Sequence, residues 1–214
     1  MPARPGRDVG GKDRPMEDRV LVVATNNAHK VAEIRTISEE LGFKVMSKKE
    51  AGVDGMEVEE TGNTFEANAE LKARAVAKAT GRAAIADDSG LMVEALNGDP
   101  GVYSSRYAGE DGNDPLNNEK LLREMKDVPE GQRKAKFVSA LCLVYEDGSC
   151  VFAKGECPGK ILTAPRGNGG FGYDPLFVPD GFDQSFGELP QETKNQISHR
   201  SHALKALAEI LKER

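Results

Sequence analysis

The chain has 214 residues, 38% hydrophobic and 30% charged, with a formal net charge of −6. That length suffices for one substantial core, and the modest acidity excludes general adhesion to nucleic acid or anionic membrane, which calls for a basic surface. No apolar run approaches the roughly 20 residues of a membrane span, so neither a nucleic acid nor a membrane is expected as partner.

Residues 1–18 are rich in Pro, Gly and charge and lack the apolar stretch of a secretory signal. They are expected to form a mobile tail ahead of a single domain over 19–214. "RVLVVAT" (19–25) is a β-branched run and the first predicted strand. "AHKVAEIRTISEELG" (28–42) carries Val31, Ile34, Ile37 and Leu41 at helical spacing, with Gly42 as a stop. "FKVMS" (43–47) is a short second strand. A loop rich in Gly and Glu leads to a long helical stretch (63–81), with Asn63 or Thr64 as cap and Gly81 at its end.

"AAIAD" (83–87) reads as the next strand, ending where Asp87 and Asp88 precede Ser89 and Gly90. "DPLNNEKLLREMKDV" (114–128) reads as a helix capped by Asp114, with Pro115 in its first turn. "KAKFVSALCLVYEDGSCVFAKGEC" is a hairpin turning at Asp147–Gly148. A Gly-rich loop (165–172), a short strand at 175–178 and the amphipathic closing helix from His199 complete the chain. Strand–helix alternation followed by a hairpin predicts an α/β fold with a mixed sheet flanked by helices. Cys142, Cys150 and Cys157 form no CxxC pair and no zinc spacing, so free thiols in a reducing cytoplasm are expected.

Three places break local rules. If Asn27 caps the first helix, Lys30 falls in its first turn, against the helix dipole; an anion bound at that end would reverse the sign. A solvated turn lysine is the plain alternative. On the helix 63–81, Phe65, Ala69, Lys72 and Val76 share one face at about 100° per residue, with Asn68 at its margin. A lysine in an apolar stripe snorkels, pairs, or points into a polar cleft; Glu57, Glu59 and Glu60 lie just upstream. Third, Asp87 and Asp88 are adjacent acids at a predicted strand end. One of them caps a turn, or a carboxylate at the edge of a sheet faces the crevice where α/β proteins bind ligands, holding Mg²⁺ together with Glu60 and phosphate oxygens. Two lysines, several acids and a helix N-terminus are together suited to a metal-bound polyphosphate.

Five segments, "TNNAHK", "EETGNTFEANAELKA", "ADDSGLMVEALNGDPGVYSSRYAG", "GNGGFGYDPLF" and "KNQISHRSHAL", occur in this order over about residues 20–210. Together they resemble the inosine/xanthosine triphosphate pyrophosphatase family, the Ham1-like or non-canonical purine NTP pyrophosphatases. The resemblance implies Mg²⁺-dependent hydrolysis of ITP, dITP and XTP to monophosphate and pyrophosphate. It also implies a homodimer and an elongated mixed α/β fold of two lobes with a central cleft. The phosphate-binding segment falls on Thr25, Asn26, Asn27, Ala28, His29 and Lys30. The metal carboxylates fall on Glu60 and Asp88, with Asp88 also the catalytic base that activates water. Ser89 and Lys72 match further substrate contacts; Phe171, Gly172, Tyr173, Asp174, Lys194, His199 and Arg200 match base-recognition positions. The residues themselves leave the roles of Asp87 and Asp88 unseparated, and no element that excludes GTP is visible.

Overall fold

The runs 83–93 and 134–144, buried along nearly their whole length, form the two central strands on which everything else is hung. The computed structural model describes residues 20–213; the predicted tail, 1–18, lies outside them. Six strands, β1 (Val20–Val23), β2 (Lys44–Ser47), β3 (Ala83–Val93), β4 (Lys134–Val144), β5 (Cys150–Ile161) and β6 (Phe177–Pro179), form one sheet in the order β2-β1-β3-β4-β5-β6. β1 runs parallel to β2 and β3, whereas β3 to β6 are antiparallel neighbours. The mixed sheet is therefore as the alternation predicted. The hairpin turns as expected, Tyr145 N–H donating to Ser149 O and Gly148 N–H to Tyr145 O.

Period-2 alternation sorts the sheet into two faces. Leu21, Val23, Ile85, Leu141 and Leu143 pack against α1 (Ala28–Glu40) and α5 (His199–Lys212). Val22, Ala84, Ala86, Cys142 and Val144 pack against α2 (Phe65–Thr80) through Ala69, Ala73 and Val76. A second core around Leu91, Phe137, Phe177 and Phe186 fills the far end of the long strands, under α3 (Asp114–Glu124). Thr64 caps α2, and Gly81 closes it in the left-handed conformation.

Three expectations are corrected. β3 does not end at Asp87 but continues to Val93, because β4 pairs with it throughout, Asp87 opposite Leu141 and Ser89 opposite Ser139. The strand that does end there is β1, whose last pairing is Val23 with Ile85. The cap of α3 is Asn113, whose side chain accepts from Leu116 N–H, rather than Asp114. A short helix, α4 (Gln191–Ile197), stands where the polar run had no assigned element. Cys142 and Cys157 are buried and Cys150 half-buried, all three free; burial pushes the Cys142 and Cys157 thiols up to about 12.

Two glycines set how closely elements approach. A Cβ at Gly90 would lie 2.3 Å from Gly101 O and 2.6 Å from Ser104 Oγ, so the 3-10 turn Gly101–Arg106 sits directly on β3. A Cβ at Gly155 would lie 2.2 Å from both Ala203 N and His199 O, so the first turn of α5 rests on the backbone of β5. Both obstacles at Gly155 are backbone, which cannot rotate away. Gly155→Ala is expected to destabilise by about 3 kcal/mol or more, read as urea midpoint, while Gly131→Ala, which meets nothing within 4 Å, changes it little. Equal midpoints for the two variants would contradict this packing.

Candidate active site

Beyond Ile85 one edge of β3 is open, since β1 has ended, and polar groups close it. Lys72 Nζ donates to Asp87 O (2.9 Å), and Leu91 N–H donates to Ser104 Oγ (2.9 Å). This gap widens into a cleft of about 760 Å³. Its walls come from the β1–α1 turn, the segment 56–60, α2, β3, the 101–106 turn, the 171–174 loop and the start of α5.

The adjacent acids of β3 point to opposite faces, and each meets its own cations. Asp87 is 0% exposed. It accepts from Ser89 Oγ (2.8 Å) and from Ser139 Oγ, and pairs with Lys30 Nζ (2.9 Å) and Arg200 Nη2 (3.4 Å). Burial opposes its charge, but Arg200 and Lys30 outweigh that and hold the carboxyl well below its ordinary range. Arg200 is itself buried; it also pairs with Glu33 and donates to Ser89 Oγ at 3.0 Å.

Asp88 faces α2 and the cleft. Lys72 Nζ reaches Asp88 Oδ1 at 3.4 Å and Glu60 Oε1 at 3.1 Å, standing between the two carboxylates. Asp88 Oδ2 is buried without any hydrogen-bond partner. Burial, with Glu60 and Asp87 nearby, raises the Asp88 carboxyl to about 6 against the pull of Lys72 and Lys30. Glu60 is held there from behind, since Gly62 N–H donates to the buried Asn68 Oδ1 (2.7 Å) on α2.

This donor set fits a divalent cation. Two carboxylates share one wall, one with an unsatisfied oxygen, and hard cations such as Mg²⁺ take few protein oxygens alongside phosphates and waters. Among the described residues no three His, Cys, Asp or Glu side chains could hold a metal unaided, so the remaining ligands would come from substrate and solvent.

Asn27 does cap α1, with Lys30 at the third position, but its Oδ1 accepts from His29 N–H (3.0 Å) and Lys30 N–H (3.2 Å). The helix end is therefore less open to an anion than the bare turn suggested.

At the far end of the cleft, the 171–174 loop is clamped. Gly172 N–H donates to Asp114 Oδ2 (2.7 Å), Asn118 Nδ2 donates to Gly172 O (2.9 Å), and Tyr173 Oη donates to Ser104 O (2.7 Å). Phe171 stacks on His29 at 5.0 Å. His199 stacks on Phe137 at 4.8 Å, its Nδ1 buried and unpartnered. Burial, then Arg200, pushes its imidazole well below the usual histidine range, so it is neutral.

Of the sequence-predicted residues, Thr25, Asn26, Asn27, Lys30, Glu60, Lys72, Asp88, Ser89, Phe171, Gly172, Tyr173, Asp174, His199 and Arg200 line this one cleft. Ala28, His29 and Lys194 do not line it. His29 stands behind Phe171, and Lys194 is buried beneath the loop, paired with Asp174 at 2.7 Å. Sequence reading missed Glu33, Ser139, Ser104 and Asn118. Each is joined to its partner across more than 50 positions or through an unremarkable polar residue, so no local pattern marked it.

A sequence model described as the Ham1 family matches residues 21–210. The chain is 47% identical to the dITP/XTP pyrophosphatase of Clostridium perfringens over 90% of its own length and 97% of the relative's. It is likewise 47% identical to that of Bacillus subtilis, covering 89% and 96%. Among solved structures, it is similar to a HAM1 protein from Coxiella burnetii, with TM-score 0.82, 39% identity, and 92% and 100% coverage. The Staphylococcus aureus Ham1 protein gives TM-score 0.80 and 42% identity, covering 91% of this chain and 99% of that one. With a family match over nearly all its length, and relatives this similar across theirs, the chain belongs to the Ham1 family.

Proposed function

We propose that this protein hydrolyses non-canonical purine nucleoside triphosphates, ITP, dITP and XTP, to the monophosphate and pyrophosphate. The observation that carries this reading is the unpartnered, buried Asp88 Oδ2 beside Glu60, at the polar end of a cleft whose other end offers an aromatic ring and Arg200. The names of similar proteins, dITP/XTP pyrophosphatases, support it.

Mg²⁺ bound by Asp88 and Glu60 would neutralise phosphate charge and fix the triphosphate for in-line attack. The protein's own groups do the rest. Asp88, ionised, accepts the proton of the attacking water. Lys30 keeps donors beyond its one bond to Asp87 and directs them at phosphate oxygens, together with the polar turn Thr25–Asn27. Lys72 holds Asp88 and Glu60 facing each other. Asp87 is a positioning residue, sealed away from solvent, that fixes Lys30 at the phosphate end and Arg200 at the base end.

For the base, Phe171 lines the cleft with His29 stacked behind it, and its ring supplies a backed stacking surface for a purine. Arg200 and the neutral His199 present donors that a 6-keto group accepts and a 6-amino group does not, which disfavours adenine. Lys194 acts from beneath, through Asp174, whose Oδ2 also accepts from Phe171 N–H (3.0 Å). The reading extends to a homodimer in the cytoplasm, where three free thiols suit the reducing conditions. Among the described residues no helix is long and apolar enough to cross a membrane.

A panel of ITP, dITP, XTP, GTP and ATP with Mg²⁺, scored for pyrophosphate against orthophosphate, tests the activity. Pyrophosphate from the first three, with the last two turned over far more slowly, is the expected result; orthophosphate release or preference for ATP would reject it.

Asp88 also predicts a conflict between stability and activity. Its raised carboxyl means the folded, metal-free protein retains a proton that the unfolded chain gives up above pH 3.8. Its favourable contribution is thus full at low pH and lost as pH rises towards about 6. Asp88→Asn is expected to lower kcat by at least about a hundredfold, yet to stabilise the metal-free protein at pH 8 by on the order of 1–3 kcal/mol. That gain should vanish near pH 4. Calorimetric melting at both pH values, with chelator present, reads it; a variant less stable at pH 8 would count against the assignment.

A further inference from the structure

Lys48 belongs to none of the motifs above, yet it lines the same cleft while only 6% exposed. It follows directly on the last residue of β2, and Ser47 is in register with Val23, so Lys48 sits beside Ala24 and the start of the phosphate-side turn. Asn26 Nδ2 donates to Asp54 O (3.2 Å), tying that turn to the segment beyond Lys48. The Lys48 ammonium donates to Met56 O, and Met56 packs on the α2 face of the sheet, the face that Asp88 and Lys72 share.

Three lysines thus surround the polar end of the cleft, and their donors are differently committed. An ammonium has three. Lys72 spends its own on Asp87 O, Asp88 and Glu60. Lys30 is in an ion pair with Asp87. Lys48 has one acceptor, a backbone carbonyl, and among the described residues no carboxylate within ion-pair distance. Its other two donors have no acceptor among the described residues and are left to solvent or a ligand in the cleft that Lys48 lines. Burial lowers its affinity for the proton, against the weaker, more distant pull of Asp54 and Glu57. An incoming anion would complete it.

Its place in the sheet says which part of the anion. β2 and β3 are separated by β1, so their backbones stand two strand spacings apart, about 10 Å. Lys48 adjoins Ala24 and the Thr25–Asn27 turn assigned above to the phosphates, whereas Phe171 and Arg200 mark the end of the same cleft assigned to the base. Lys48 therefore stands with the groups of the phosphate side and apart from those of the base side.

We propose that Lys48 is a further substrate-binding residue, a cation for the two terminal phosphoryl groups that leave as pyrophosphate. This rests on the pyrophosphatase reading above. It also gives the segment 48–60 a second purpose, since the lysine that receives the anion pins, through Met56 O, the irregular stretch leading to Glu60.

The test uses Lys48→Gln, which keeps an N–H for Met56 O but loses the charge, and Lys48→Arg, which keeps the charge. Calorimetric titration with inorganic pyrophosphate and Mg²⁺ is expected to show binding weakened about tenfold in Lys48→Gln and largely restored in Lys48→Arg. Binding of inosine monophosphate should stay unchanged in both. Pyrophosphate bound equally by Lys48→Gln and the unvaried protein, no pyrophosphate binding by the latter, or a parallel loss for inosine monophosphate would each overturn the assignment. Turnover of ITP by the unvaried protein is scored separately. Failure there with a Lys48-dependent pyrophosphate site removes the reading and leaves the site; normal turnover with pyrophosphate indifferent to Lys48 does the reverse.

Discussion

A carboxylate with no exposure to water must be ionised by its neighbours or not at all, and Asp87 meets that condition with two hydroxyls and two cations. Removing one partner of such a buried pair typically costs about 3–5 kcal/mol, so the network is tightly specified. It ties together elements far apart in the chain: Lys30 near the start of α1, Ser139 in the middle of β4, and Arg200 at the start of α5. Arg200 in turn reaches Glu33 on α1. One fixed charge thereby sets the separation between Lys30 and Arg200 across the cleft.

Because β3 is extended, the next residue cannot share that environment. Asp88 turns to the α2 face, where Lys72 and Glu60 give one cation against another acid, and one of its oxygens is left without a partner. The same strand thus holds one carboxylate made safe and one left reactive. Perturbed, imperfectly satisfied groups of this kind concentrate where chemistry is done, and natural proteins tolerate their destabilising effect there. Gly90, two residues on, lets the 101–106 turn close the wall beside them.

Much of this was legible in the residues. The helix at 28–40, its cap at Asn27, and Lys30 in its first turn followed from spacing and cap chemistry. So did the hairpin at Asp147–Gly148 and the placing of Lys72 on the buried stripe of α2. The end of β3 was misread for a physical reason. Asp-Asp-Ser-Gly has turn composition, and only tertiary partners, β4 on one edge with Lys72 and Ser104 on the other, make it a strand. The separation of Asp87 from Asp88 was likewise out of reach, since it depends on which helix covers which face. Ser139 and Glu33 gave no local signal. Lys194 sits under its loop rather than in the cleft, a distinction of depth that a motif does not carry.

The central claim is that neighbouring acids on one strand have opposite duties, Asp88 to hold the metal with Glu60 and Asp87 to hold side chains. Anomalous scattering from a crystal soaked with Mn²⁺ and a non-hydrolysable ITP analogue tests it most directly. The account predicts a manganese peak on the cleft side, touching Asp88 and Glu60, with Asp87 still bound only to Lys30, Arg200 and the two serines. A peak on Asp87, or metal held by phosphates with neither Asp88 nor Glu60 in contact, would contradict it.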